Sequence, residues 1–341
     1  MQYQSFVIRE KPEWDAYVKR SCNYEVYHTW YYHSLNREGE PLLFVYKEAG
    51  FFIAFPMIKR RIANSSFYDL TSVYGYAGPV SDTDFSAITE RSLQSFKEEF
   101  CRFLTAERCV TVFTRLYPFL AQQYLLESLG GVSSNGSTIY MDLSITEEEQ
   151  RARYEKRLKR QVKKLRASNY LIKDARSAEE IRSFTEIYHK NMDRLNAGKS
   201  YYFDEAYFTG LLNPGEFSNR LILIYDGPEL ICGALLLISE HVVRNHLSAT
   251  SEKYLNVSPS KLLTDEISMI GRRLGKKIFH LGGGVGGKED SLFQFKRHFS
   301  DLQIADRIWC YINDQEVYQE LVLQRGAEIS PESTFFPAYR Q

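Results

Sequence analysis

One order of elements occurs twice along this chain, and that repetition limits its fold more than any other feature. In the first half, Lys11–Lys19 opens a helix, and Leu42–Lys47 and Phe51–Met57 read as strands joined around Gly50, a predicted hairpin. Glu90–Ala106 is amphipathic at helical spacing. Val110–Arg115 follows as a strand, and Phe119–Leu129 as a helix stopped by Gly130 and Gly131. In the second half, Ala178–Asp193 and Asp204–Leu212 read as helices. Leu221–Tyr225, Leu230–Ile238 and Val242–Ser248 read as strands, the first two hinged on Asp226-Gly227. Pro259–Leu274 is a helix, and Lys277–Leu281 a buried strand that runs into three glycines. Helices, a meander of strands, one helix and one more strand therefore appear in each half. The pattern predicts two α/β lobes with mixed sheets, residues 1–145 and 146–341, packed side by side with a ligand cleft where they meet. Ser144, with Glu147 three residues on, predicts the cap that opens the second lobe.

Composition excludes little. Lys+Arg and Asp+Glu are both 43, so only a local cluster could recruit a polyanion or a membrane surface. The five cysteines form no CxxC pair and no Cys/His cluster, which predicts neither a disulfide framework nor a metal site and points to a reducing cytoplasm. The N-terminus lacks the apolar core of a signal peptide, and no stretch approaches the roughly 18 apolar residues of a membrane span. Any envelope role is expected from the cytoplasmic side.

Four segments carry a resemblance. Tyr68–Pro79 contains Tyr76-Ala77-Gly78-Pro79, a Y-x-G-P signature. The basic opening of the second half, Arg157–Ala167, is followed by His246–Thr250, by His280-Leu281-Gly282-Gly283-Gly284 and by Leu292–Phe299 with its Phe295-Lys296 pair. In this order and at these gaps they resemble Fem-like enzymes, the aminoacyltransferases that build peptidoglycan interpeptide bridges, and their GNAT-fold acyltransferase relatives. The resemblance covers roughly residues 5 to 305 and implies two tandem GNAT-like lobes and acyl transfer to an amine. It implies no tightly bound cofactor; the donor co-substrate is acyl-CoA or aminoacyl-tRNA. No long heptad stretch interrupts the second half, so the chain resembles the compact members without a coiled-coil arm. Those members carry a first-lobe lysine shortly after a tryptophan, on the acceptor's phosphates. Here Trp30 is followed by Tyr31, Tyr32, His33 and Ser34.

Acyl transfer to an amine needs a polarised donor carbonyl, a held oxyanion and a neutral amine. No Ser-His-Asp order or activated cysteine is evident, which favours direct attack in a shared cleft over a covalent intermediate. Lys296 is the expected catalytic cation, on the strength of the family's F-K pair. His246, on a strand, is a candidate proton acceptor or a satisfied sheet histidine. Asn256, Ser258, Ser260 and Lys261 precede a helix where ordinary GNAT lobes hold a pyrophosphate on exposed N–H groups. The same residues also fit simple capping, with Ser258 as the cap and Pro259 at the first helical position. Gly283 and Gly284, with Phe295, are candidate donor contacts, on a glycine-rich loop that reads either as a lid or as a plain strand end. Tyr74, Tyr76, Arg194, Tyr201 and Tyr202 are the candidate acceptor contacts, since Arg and Tyr clamp phosphate or carboxylate. Asp265 and Glu266 read as carboxylates serving a helix dipole.

The run Arg151–Arg166 holds nine basic residues and one acidic residue, and suits a tRNA backbone, a diphosphate, anionic lipid or plain solvent. The leading expectation is an acyl or aminoacyl transferase acting on a cell-envelope precursor. The alternatives are an acyl-CoA-dependent N-acetyltransferase of an amino sugar or other small metabolite, and a non-catalytic binding protein.

Overall fold

The computed structural model describes residues 3–175, 177–326 and 335–341. It divides into two compact units, one formed by residues up to Asn135 together with Ala305–Gln341, the other by Gly136–Ile304. The sequence reading ends the first lobe at residue 145 and assigns everything beyond to the second. The chain's last strand instead pairs into the first unit, for a reason given below.

In the first unit, strand β1 (Gln4–Ile8) leads to helices α1 (Lys11–Arg20) and α2 (Trp30–Ser34). Strands β2 (Glu40–Glu48) and β3 (Phe51–Arg61) form the expected hairpin, in which Gly50 supplies the left-handed turn residue at φ 100°. Strands β4 (Tyr68–Thr71) and β5 (Val80–Ser81) follow, then helix α3 (Glu90–Ala106) and strand β6 (Cys109–Arg115). Thr89 caps α3 by accepting from the Ser92 N–H, and Phe96, Phe100 and Leu104 fall on one buried face. A short helix α4 (Gln123–Leu126) stands where a longer one was expected. The sheet runs β1-β2-β3-β4-β6, antiparallel except for β4 with β6, which need α3 as their crossover.

Strand β7 (Val132–Asp142) carries the chain into the second unit, where helices α5 (Glu147–Arg153) and α6 (Lys156–Arg166) follow. The cap of α5 is Thr146 with Glu149, a reciprocal capping box, rather than Ser144 with Glu147. Ser144 is engaged elsewhere, since its N–H and hydroxyl both donate to Asp142. Strand β8 (Leu171–Asp174), helices α7 (Ala178–Arg194) and α8 (Glu205–Leu211), and strands β9 (Arg220–Asp226), β10 (Glu229–Ile238) and β11 (Val242–Thr250) form the meander. Helix α9 (Ser260–Arg273) crosses over to β12 (Ile278–Gly282), and α10 (Ser291–Arg297) closes the unit. The sheet order is β7-β12-β11-β10-β9-β8, antiparallel except for β11 with β12. Leu262, Leu263, Ile267 and Ile270 bury one face of α9. Gly271 lets that helix approach the sheet closely, because a Cβ there would meet Leu143 and Val243 at 2.6 and 2.7 Å.

Strand β13 (Gln303–Ile312) then pairs antiparallel with β6, and helix α11 (Gln315–Arg325) packs near the C-terminus. Each unit is thus the same meander, crossover and outer strand. The second takes its outer strand from the chain before it, and the first takes its own from the chain's end. Trp309 on β13 is fully buried against Phe55 and Phe100 and donates its indole N–H to Gly130 at 2.6 Å. This contact makes 305–341 part of the first unit.

Candidate functional site

Strands β11 and β12 pair only over Val242–Arg244 and Ile278–His280, while β11 runs on to Thr250. Just past the last pair, both strands bulge. The β10–β11 register steps past His246, since Leu235 faces Leu247 and Leu236 faces Asn245. The β7–β12 register steps past Leu281, since His280 faces Tyr140 and Gly282 faces Ile139. Bulges re-aim side chains and end pairing, and here they coincide with the point where two parallel strands part. Arg244 and His280, the last paired residues, are both buried, and the guanidinium contacts the imidazole Nδ1.

His246 sits on that bulge with its Nε2 2.9 Å from the Tyr207 hydroxyl. Burial, and next the charge of Arg244, push its pKa down to about 3, so the ring is neutral at ordinary pH. Tyr207 is held in turn by Phe203, stacked on it at 4.2 Å, and by the Asp204 cap of α8. Sequence reading missed Tyr207, because nothing in its local pattern signals a partner 39 residues away.

Beyond β12 the glycine loop is fastened. The Lys296 ammonium, on α10, donates to the Gly283 carbonyl at 2.5 Å. Asp290 caps α10 by accepting from the Phe293 N–H and also accepts from the Val285 N–H at 3.0 Å. Burial raises the Asp290 pKa, but these N–H groups and the Lys296 charge outweigh it, so the carboxyl lies below its usual value. A Cβ on Gly284 would lie 1.9 Å from the Lys288 carbonyl, so the loop's close folding requires glycine there. Lys296, Gly283 and Gly284 therefore come together. Phe295 is half-buried, packed on Phe299 at 5.4 Å.

Before α9, the expected capping is not what forms. Ser258 has φ 56°, the left-handed region a glycine would normally occupy, and its hydroxyl donates back to the Leu255 carbonyl. Pro259 holds the cap position with helical dihedrals and no side-chain cap bond, and the helix begins at Ser260. Asn256 is exposed, and Ser260 and Lys261 are half-buried. Burial, and next the Arg157 charge, lower the Lys261 pKa, which places α6's cations beside this turn.

The acceptor candidates fall in two places. In the second unit, Arg194 donates to Asn191, the Tyr202 hydroxyl donates to Asp193, and exposed Tyr201 offers its carbonyl to Tyr188. In the first unit, Tyr76 is buried with the Arg115 guanidinium 4.2 Å from its ring, and Tyr74 is exposed. Asp306 and Asn135 complete that cluster. Gln122 locks the signature turn, donating to the Ala77 and Pro79 carbonyls at 2.9 Å and accepting from the Tyr117 N–H. His33, in the segment after Trp30, is a core residue. It is fully buried 5.1 Å from Trp14, and burial pushes its pKa down to about 4.

The basic run splits. Its ends, Arg151 and Arg166, both grip the buried Asp265, with Tyr154 as a third donor. Burial raises the Asp265 pKa and the arginines outweigh it, holding the carboxyl low. Glu266 pairs with Arg166 and Arg273. These two carboxylates are counter-ions for the run rather than dipole partners of α9. Arg157, Arg160 and Lys164, between the ends, line an open recess of about 390 Å³ with Gln161. Among the described residues, no group of three or more His, Cys, Asp or Glu side chains could hold a metal ion.

Residues 152–297 match the acetyltransferase (GNAT) domain family. Among solved structures, the chain is similar to FemX, at 14% identity and TM-score 0.70 over 94% of this chain and 99% of that one. It is also similar to L-PGS from Bacillus licheniformis, at 14% identity and TM-score 0.59 over 93% and 96%. A tandem GNAT protein from the clavulanic acid biosynthesis pathway aligns at 8% identity and TM-score 0.53 over 92% and 99%. No curated protein matches the sequence. The tandem GNAT fold expected from the Fem-like resemblance is the fold this chain has.

Proposed function

We propose that the chain is an acyltransferase that moves an aminoacyl or acyl group from an activated donor to an amine, with a cell-envelope precursor as acceptor. The observation that carries this reading is the parting of β11 and β12 beyond Arg244 and His280, with Lys296 fastened at the loop that leaves β12. In that opening the donor's acyl end would lie between the parted strands. Asn256, Ser258, Ser260 and Lys261 would hold the donor's phosphates at the α9 turn, which has no side-chain cap. Lys296 would exchange its Gly283 carbonyl for the developing negative charge of the transition state. His246, with its low pKa, suits orientation of Tyr207 better than storage of a proton. Arg194, Tyr201 and Tyr202 are the proposed acceptor contacts of the second unit, and Tyr74 and Tyr76 those of the first, each set taken by itself.

A second reading, N-acetylation of a small amine from acyl-CoA, is favoured by one observation. His33 occupies the segment where the compact Fem-like members carry their phosphate-binding lysine, and it is buried and neutral.

Thermal unfolding with coenzyme A, acetyl-CoA and bulk aminoacyl-tRNA separates the two. A ligand at 100 times its Kd adds about 2.7 kcal/mol. Stabilisation by aminoacyl-tRNA alone is the expected result, and stabilisation by coenzyme A would transfer the assignment to the second reading.

A further inference from the structure

Helix α6 is built against its own electrostatics. Its 11 residues, KRLKRQVKKLR, contain seven cations and no carboxylate, in a chain whose total formal charge is zero. Like charges three and four residues apart repel on a helix surface, and Lys156, Arg157, Lys159, Arg160, Lys163 and Lys164 are all exposed. The helix is held in place from beneath by Leu158, Val162 and Leu165, all buried. The carboxylates nearby are taken up at the ends of the basic run, α6's own last residue Arg166 included. Asp265 and Glu266 serve Arg151 and Arg166, and Glu155 faces His298 at 3.2 Å. Among the described residues, no carboxylate forms an ion pair with Arg157, Arg160 or Lys164, which line the recess. The neighbouring α9 adds Lys261, close enough to Arg157 to feel its charge.

From these observations we propose that the outer face of α6 is a docking surface for an anionic lipid bilayer, with the recess between Arg157, Arg160 and Lys164 receiving a phosphate headgroup. A helix of 11 residues spans roughly 16 Å, so the face presents a broad field of cations and suits a plane of charged headgroups. Surfaces that bind single-stranded nucleic acid interleave cations with exposed aromatics on which bases stack. Here α6 has no aromatic residue, and Tyr154 just before it is buried. The apolar residues of α6 belong to the protein core, so attachment is electrostatic, shallow and reversible. The inference stands on this helix alone and does not require acyl transfer.

The test is co-sedimentation of the full chain with vesicles of phosphatidylcholine containing phosphatidylglycerol, against vesicles of phosphatidylcholine alone. The protein should bind the anionic vesicles and be released as salt shortens the Debye length. The triple variant Arg157→Gln, Arg160→Gln, Lys164→Gln should bind about a hundredfold more weakly, at about fivefold per cation. A control triple variant of exposed cations elsewhere, Lys47→Gln, Arg91→Gln and Lys190→Gln, should bind as the unaltered protein does. The recess variant should melt no lower than the unaltered chain, because it loses only repulsion. Absence of binding to anionic vesicles, or equal loss in both triple variants, would overturn the proposal. Tighter binding of an RNA hairpin, dependent on the same three residues, would overturn it in favour of a nucleic acid.

Discussion

His33 and His246 give the molecule an acid sensitivity that begins above the carboxylate range. Their folded-state values of about 4 and about 3 lie below the ordinary imidazole value because burial disfavours the charged ring. The unfolded chain therefore binds protons that the folded chain refuses. The stability is whole above about pH 6.5 and is lost as pH falls toward the folded values, at up to about 1.4 kcal/mol per pH unit for the fully buried His33. Chemical denaturation at pH 7, 6 and 5 should show a falling midpoint, with a shallower fall in His246→Asn; an identical slope in that variant would contradict the burial argument. Ser258 provides a second residue-scale expectation. Its left-handed backbone is open to glycine and hostile to β-branching. Ser258→Val should cost about 1–2 kcal/mol while Ser258→Gly is tolerated, and equal midpoints for the two would refute the strain. Of this, only His246 as a satisfied sheet histidine was legible in the sequence. Ser258-Pro259 reads as a cap because Ser before Pro usually is one, and a positive φ is set by the turn that delivers α9. The Phe295-Lys296 pair was legible only through its resemblance, since its partner, the Gly283 carbonyl, is a backbone atom.

At the scale of elements, the α6–α9 pair depends on one buried carboxylate. Asp265 accepts from Arg151, Arg166 and Tyr154. Asp265→Ala removes the shared partner of two arginines that are each about a third exposed and keep Glu147 and Glu266, so the loss of its hydrogen bonds should cost about 1–3 kcal/mol. Equilibrium unfolding should show that loss. A change below about 1 kcal/mol would mean that the arginines relax into solvent. The sequence showed the run of cations but not its division, because the dividing acid lies 99 residues beyond Arg166. Helix α3 was legible to the residue. Its cap, its amphipathic face and its end are all local signals, from Thr89 to Ala106. Strand β13 was not read at all. Asp306 interrupts its apolar run and is buried, and its partner Arg115 lies 191 residues away.

For the whole molecule, the doubled meander was visible as order, while the return of the chain to its first unit was not. Trp309 is the core residue of that return, so Trp309→Ala should cost about 3–5 kcal/mol. A loss under 1 kcal/mol by calorimetry would show that β13 does not support the first unit. The proposed chemistry belongs to the second unit, where the glycine loop, α10 and the parted strands converge on one ammonium. Turnover of Lys296→Ala with the donor that stabilises the unaltered chain is the direct measurement. A preorganised cation facing developing negative charge typically contributes 10²–10³ in kcat. A fall of about that size in a variant that stays folded, destabilised by no more than the about 1 kcal/mol of its lost bond to Gly283, is the predicted result, and undiminished turnover in the folded variant would contradict the account.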